Sequence, residues 1–185
     1  MLDVFFISGV PASGKTTIMK VLRERFIGEG RQARLGRARW IERADGRVKM
    51  LGVFDGSTFE GTDRLSMTCI EDVIPWVRDL QDQIERYILL LEGDRLMNER
   101  FLKTTRARVF CLTVQPQTLA ERHKRRRDTQ GEAFLRSRET KLRNLSATYR
   151  FTFLQNDTPQ EMKDNIEIIS YHINRKLNAT SERTL

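Results

Sequence analysis

GVPASGKT, Gly9 to Thr16, follows the apolar stretch Val4-Phe5-Phe6-Ile7 and runs into Thr17-Ile18-Met19-Lys20-Val21-Leu22, whose Ile18, Val21 and Leu22 fall on one helical face. Strand, glycine-rich turn and helix in that order form a phosphate-binding loop. Gly9 and Gly14 permit a fold in which backbone N–H groups, here those of Ala12, Ser13, Gly14, Lys15, Thr16 and Thr17, point inward at phosphate oxygens. The start of the new helix offers its positive end to the same anion. Lys15 then reaches the β- and γ-phosphates and the Thr16 hydroxyl ligates Mg²⁺, which predicts ATP or GTP with Mg²⁺ as the bound species.

Working outward, the spacing predicts a first strand over Asp3–Ser8 and a helix to about Phe26, stopped at Gly28 or Gly30. A short strand over Gln32–Arg37 follows. A hairpin insertion spans about 38–54, with its turn at Asp45-Gly46. DGSTFEGTD, Asp55 to Asp63, reads as a loop; two helices, Leu65–Trp76 and Val77–Tyr87, come next, with Pro75 separating or starting one of them. Tyr87-Ile88-Leu89-Leu90-Leu91 and Arg108–Val114 read as buried parallel strands, and Phe151–Leu154 as a last one. Helices are expected over Gln117–Arg127, over Ala133–Tyr149 and from the capped start Thr158-Pro159-Gln160-Glu161 through Leu177. The alternation predicts an α/β three-layer sandwich with a central parallel sheet of about five strands, in one domain over residues 1–177 with a frayed tail at 178–185.

At 185 residues the chain is long enough to bury a core and short for a multidomain assembly. Met1-Leu2-Asp3 carries no basic signal-like start and no apolar run approaches a membrane span, so a cytoplasmic protein with no membrane partner is expected. Cys69 and Cys111 lie far apart and read as two reduced core cysteines. His123 and His172 have no metal-ligand spacing. Lys and Arg number 33 against 25 Asp and Glu, a formal charge of +8, which favours a polyanionic partner such as nucleic acid, although a phosphate-transfer site with a solvated basic face gives the same total.

Phosphoryl transfer requires neutralisation of the γ-phosphate, a positioned metal, an oriented acceptor and a carboxylate to receive its proton. Lys15 and Thr16 meet the first two requirements, and Glu92 and Asp94, directly after a buried strand, are the further metal candidates. Asp63, in Gly61-Thr62-Asp63-Arg64, is the candidate base, with Asp55 as the competing choice; Thr62 or Asp63 equally suits a helix cap. The run Arg122-His123-Lys124-Arg125-Arg126-Arg127 belongs to a lid over about 122–138, in which Arg122 and Arg126, four apart, share a face toward the transferring group. Arg37, Arg39 and Trp40 beside the hairpin, with Asp55, Arg64 and Arg95, are the candidate substrate contacts, Trp40 being suited to stack on a base.

GVPASGKT, GTDRLS, LLLEGDRL and the late arginine-rich segment together resemble the small phosphate-binding-loop kinases, and more narrowly the bacteriophage-encoded members that phosphorylate 5-hydroxymethyluracil within DNA. That resemblance implies a P-loop kinase using ATP, an alcohol acceptor on a modified DNA base, and a role in thymine hypermodification. Two other readings fit the same residues. One is a kinase of a free nucleoside, nucleotide or other small hydroxyl metabolite; the other is a nucleotide-dependent nucleic-acid-binding module that hydrolyses ATP slowly with no acceptor.

Overall fold

A computed structural model describes residues 1–55, 60–126 and 131–179. Among them, seven strands form one sheet: β1 (Leu2–Gly9), β2 (Arg31–Leu35), β3 (Ala38–Glu42), β4 (Val48–Leu51), β5 (Tyr87–Glu92), β6 (Arg108–Thr113) and β7 (Phe151–Gln155), in the order β2-β3-β4-β5-β1-β6-β7. From β4 to β7 all neighbours are parallel; β2 and β3 are antiparallel additions at one edge. The five-strand parallel sheet expected from sequence is therefore present, but its second strand is β4 and not Gln32–Arg37. The segment read as an insertion supplies β4 itself, because Val48, Met50 and Leu51 are wholly buried against β5 whereas four of the five residues of β2 are exposed.

The helices are α1 (Lys15–Phe26), α2 (Ile70–Asp82), α3 (Glu99–Thr105), α4 (Pro116–Arg126), α5 (Glu132–Ser146) and α6 (Pro159–Asn178). Alternation along the central strands sorts the core into two layers. Val4, Phe6, Leu89 and Leu91 face α2, α3 and α5, while Phe5, Ile7, Ile88 and Leu90 face α1 and α6. Two expected helices over 65–87 are one, α2, with Pro75 inside it. Ile84, within the expected second helix, lies beyond the end of α2 and is fully exposed. The short helix α3 was not anticipated; its Asn98 side chain accepts from the Phe101 N–H, a cap of the usual kind. The final helix starts as expected, with a capping box between Thr158 and Glu161.

Cys69 and Cys111 are buried and unpaired. No helix among the described residues is long and apolar enough to cross a membrane. Residues 56–59 of the expected loop, 127–130 of the expected lid and 180–185 of the expected tail lie outside the described residues.

Candidate active site

β1 delivers the loop at the C-terminal end of the sheet, the end where strands of a parallel sheet open a crevice. Gly9 and Gly14 have φ of 139° and 101°, and Ala12 takes φ 62°, uncommon for a residue with a side chain. Packing holds Ala12 in that conformation: its methyl is buried with Val10 and Leu119. Lys15 folds its ammonium back over the turn, donating to Gly9 O and Val10 O at 2.9 Å each. Both acceptors are backbone carbonyls, so this is a parked position from which the side chain can swing to phosphate. Thr17, next along the helix, is exposed.

A residue that sequence reasoning missed clamps the loop. Asn156, directly after β7 and 1% exposed, donates from Nδ2 to Ser13 O at 2.7 Å and accepts on Oδ1 from Asn165. A Cβ at Gly14 would come within 2.5 Å of Asn156 Nδ2, so glycine is required there for close approach as well as for its φ. Arg122, on α4, donates to Ala12 O at 3.4 Å, Asn156 O at 2.7 Å and Asp157 O at 2.9 Å, tying the loop to the end of β7. Its guanidinium thus braces the loop through backbone carbonyls. Arg126, one turn on, is exposed and close enough to act electrostatically on both Lys15 and Glu92. The structure thereby separates the two arginines that sequence placed in one role.

Glu92 ends β5, paired in register with Ile7 on β1. Its carboxylate is buried, with Oε1 at 3.5 Å from the Thr16 hydroxyl. Burial pushes it up to about 7; Lys15 opposes that shift and Asp63 reinforces it. Burial in turn pushes the Lys15 ammonium below its usual range, opposed by Glu92, Asp63 and Asp94.

The GTD and EGDR segments, 31 residues apart in the chain, interlock. The Thr62 hydroxyl donates to Glu92 O; Asp63 Oδ1 accepts from the N–H groups of Asp94 (2.8 Å) and Arg95 (3.0 Å); Arg95 Nη2 donates to Asp63 O at 2.6 Å. Gly93, at φ 112°, fits because a Cβ there would meet Thr62 Oγ1 at 2.6 Å. Asp63 is thus held by one oxygen at the crevice, in a single turn of 3₁₀ helix, Thr62–Arg64.

Other expected contacts are placed differently. Asp94 receives Arg138 and Lys141 from α5, so it ties that helix to the strand end. Asp55 and Arg64 pair with each other, both carboxylate oxygens at 2.6 Å from Nη1. Arg37 forks onto Asp72 of α2 and bonds Thr68. Trp40 stacks on Trp76, ring centres 4.4 Å apart, and donates its indole N–H to Glu42 at 2.9 Å. That face is filled by the core and not offered to a base. Arg39 stays at the surface.

The donor set suits a nucleotide with Mg²⁺. Ser13 Oγ is buried in the loop with no hydrogen-bond partner among the described residues, and Thr16 and Glu92 offer the hard oxygen ligands Mg²⁺ prefers. Among the described residues no group of three or more His, Cys, Asp or Glu could hold a metal.

A family model described as P-loop Nucleotide Kinase3 matches residues 2–157, from the start of β1 through the segment that braces the loop. The chain belongs to this family. This P-loop nucleotide kinase is thus a phosphotransferase of the kinase type, and the matched span contains the loop, GTD, EGDR, α4 and α5, leaving out α6. No curated protein matches the sequence. Solved structures similar to it include a gluconokinase from Sinorhizobium meliloti 1021 (12% identity, 93% of this chain and 95% of that one, TM-score 0.48). A sugar kinase from Janibacter sp. HTCC2649 (14%, 92% and 95%, TM-score 0.45) and a shikimate kinase from Bacteroides thetaiotaomicron (13%, 93% and 98%, TM-score 0.43) are also among them.

Proposed function

We propose that this P-loop nucleotide kinase transfers the γ-phosphoryl group of ATP to the hydroxymethyl oxygen of 5-hydroxymethyluracil in DNA. The observation that carries phosphoryl transfer is the convergence of Lys15, Thr16, Glu92 and Asp63 at the ends of β1 and β5. The acceptor is supported by the resemblance of GTDRLS and EGDRL to the DNA-base kinases and by the formal charge of +8.

Mg²⁺, held through Thr16 and Glu92, would neutralise phosphate charge and orient the nucleotide. Lys15 leaves Gly9 O and Val10 O for the β- and γ-phosphate oxygens. Asp63, fixed by Oδ1 on two N–H groups, presents Oδ2 to the acceptor hydroxyl and receives its proton. The acceptor oxygen forms its bond to the γ-phosphorus as the bond from that phosphorus to the β,γ-bridging oxygen breaks, and ADP leaves. Arg126 adds positive charge near the loop. A base inside a duplex must leave the stack to reach this crevice.

The test is an acceptor panel of 5-hydroxymethyluracil DNA, unmodified DNA, and the free nucleoside and nucleotide, each with γ-labelled ATP and Mg²⁺. Label in the modified DNA alone is the expected result. Equal or better labelling of the monomers would replace the DNA acceptor with a free nucleoside or nucleotide, a reading the family's name favours.

A further inference from the structure

Two charged side chains at the crevice end of the sheet, Arg34 and Arg39, have no role in the site above. β2 and β3 place Arg34 directly opposite Arg39 on the α1 side of the sheet. Like charges directly opposed across antiparallel strands destabilise the pair. Neighbouring arginines are matched to carboxylates: Arg31 to Glu42, Arg37 to Asp72, Arg43 to Asp45. Arg34 and Arg39 have no hydrogen-bond or ion-pair partner among the described residues.

Both line a groove of about 460 Å³ with Gln32, Ile41, Gly52 and Phe54; Asp55, also at its rim, is already neutralised by Arg64. Gln32 is held by its bond to Phe54 O at 3.0 Å. Phe54 is a shared wall, because on its other side a small cavity is lined by Thr16, Arg23, Glu60 and Glu92. The groove lies at the same end of the sheet as the loop: Gly52 N–H donates to Arg39 O, and Leu51 pairs with Leu91, the residue before Glu92. β3 stands three strands from β1, about 14 Å at the usual strand spacing. One nucleotide and an arginine side chain together bridge that separation.

We propose that Arg34 and Arg39 form an anion subsite for a phosphate that the acceptor already carries, gripping it by charge-assisted, forked hydrogen bonds while the acceptor hydroxyl lies past Phe54 beside Asp63 and Glu92. This rests on the reading of the acceptor as a nucleotide. The phosphate belongs either to a monomer or to a strand backbone, and the subsite chemistry is the same for both.

Two measurements test it. The first is fluorescence anisotropy of a labelled 5-hydroxymethyluracil oligonucleotide without ATP, on wild type, on Arg34→Gln/Arg39→Gln, and on Arg150→Gln/Arg175→Gln. The last variant removes the same charge near Arg108, at the opposite end of the strands. A loss of roughly tenfold to a hundredfold in the first variant, with a loss of about twofold or less in the second, is expected. The melting temperature of Arg34→Gln/Arg39→Gln should equal or exceed that of wild type, since a repulsion is removed. Equal losses in the two variants, or none in the hairpin variant, would overturn the subsite.

The second is steady-state transfer to nucleoside, 5′-monophosphate and strand. The hairpin variant should raise KM for phosphate-bearing acceptors and leave that for the nucleoside unchanged. A gain of monophosphate over nucleoside assigns the phosphate to a monomer; a gain for the strand alone assigns it to the backbone. A nucleoside used as well as both refutes the subsite. Absence of transfer to all three would sink the kinase reading, while anisotropy still decides the subsite.

Discussion

At Glu92 a single carboxylate reports how the site is built. The unfolded chain releases this proton near 4.5 and the folded chain near 7, because burial beside Asp63 outweighs the pull of Lys15. Between those values the folded state binds more protons, so stability attributable to this group is complete below about pH 4.5 and is lost as pH rises through 7. Glu92→Gln mimics the neutral acid. Relative to wild type the variant should gain stability across that interval, by at most about 3 kcal/mol above pH 7 and by nothing below pH 4.5. Denaturant midpoints of both proteins from pH 4 to pH 8.5 check this; parallel curves would contradict it. Glu92 was legible because a carboxylate directly after an apolar run announces a strand end. Asn156 was not, since one asparagine after a short strand has no spacing to mark it, and its partner Ser13 O is 143 residues away.

The edge hairpin shows what an element conceals. Alternation gave its strands, and Asp45-Gly46 gave its turn, with Gly46 at φ 71°. Which strand enters the parallel sheet was hidden, because Val48-Lys49-Met50-Leu51 interrupts its apolar pattern with a lysine. That lysine is buried on Glu42 at 2.6 Å, so a charge that reads as surface is matched inside. Trp40 misled for a related reason: an aromatic among arginines resembles a base-stacking platform, and only the fold brings Trp76 of α2 onto it. Trp40→Ala should cost roughly 2–3 kcal/mol, the low end for a large aromatic because the ring is partly exposed. A double-mutant cycle with Trp76→Ala should return a coupling of about 1 kcal/mol. A coupling near zero would mean the stack contributes nothing beyond burial.

Across the whole molecule, the sheet order β4-β5-β1-β6-β7 brings Gly9, Gly52, Glu92 and Asn156 to one end, and the chemistry follows from that placement. The sequence marked the loop, the β5 carboxylate and the three-layer arrangement by local patterns. Contacts made over long separations, such as Asp63 on the N–H groups of Asp94 and Arg95 or Asp94 on α5, carry no local signature. The most direct measurement is the mass of a strand containing 5-hydroxymethyluracil after incubation with ATP, Mg²⁺ and either wild type or Lys15→Ala. Gain of one phosphoryl group per modified base with wild type, and none with Lys15→Ala, is the predicted result. An unchanged strand with wild type, or equal phosphorylation by Lys15→Ala, would contradict the account.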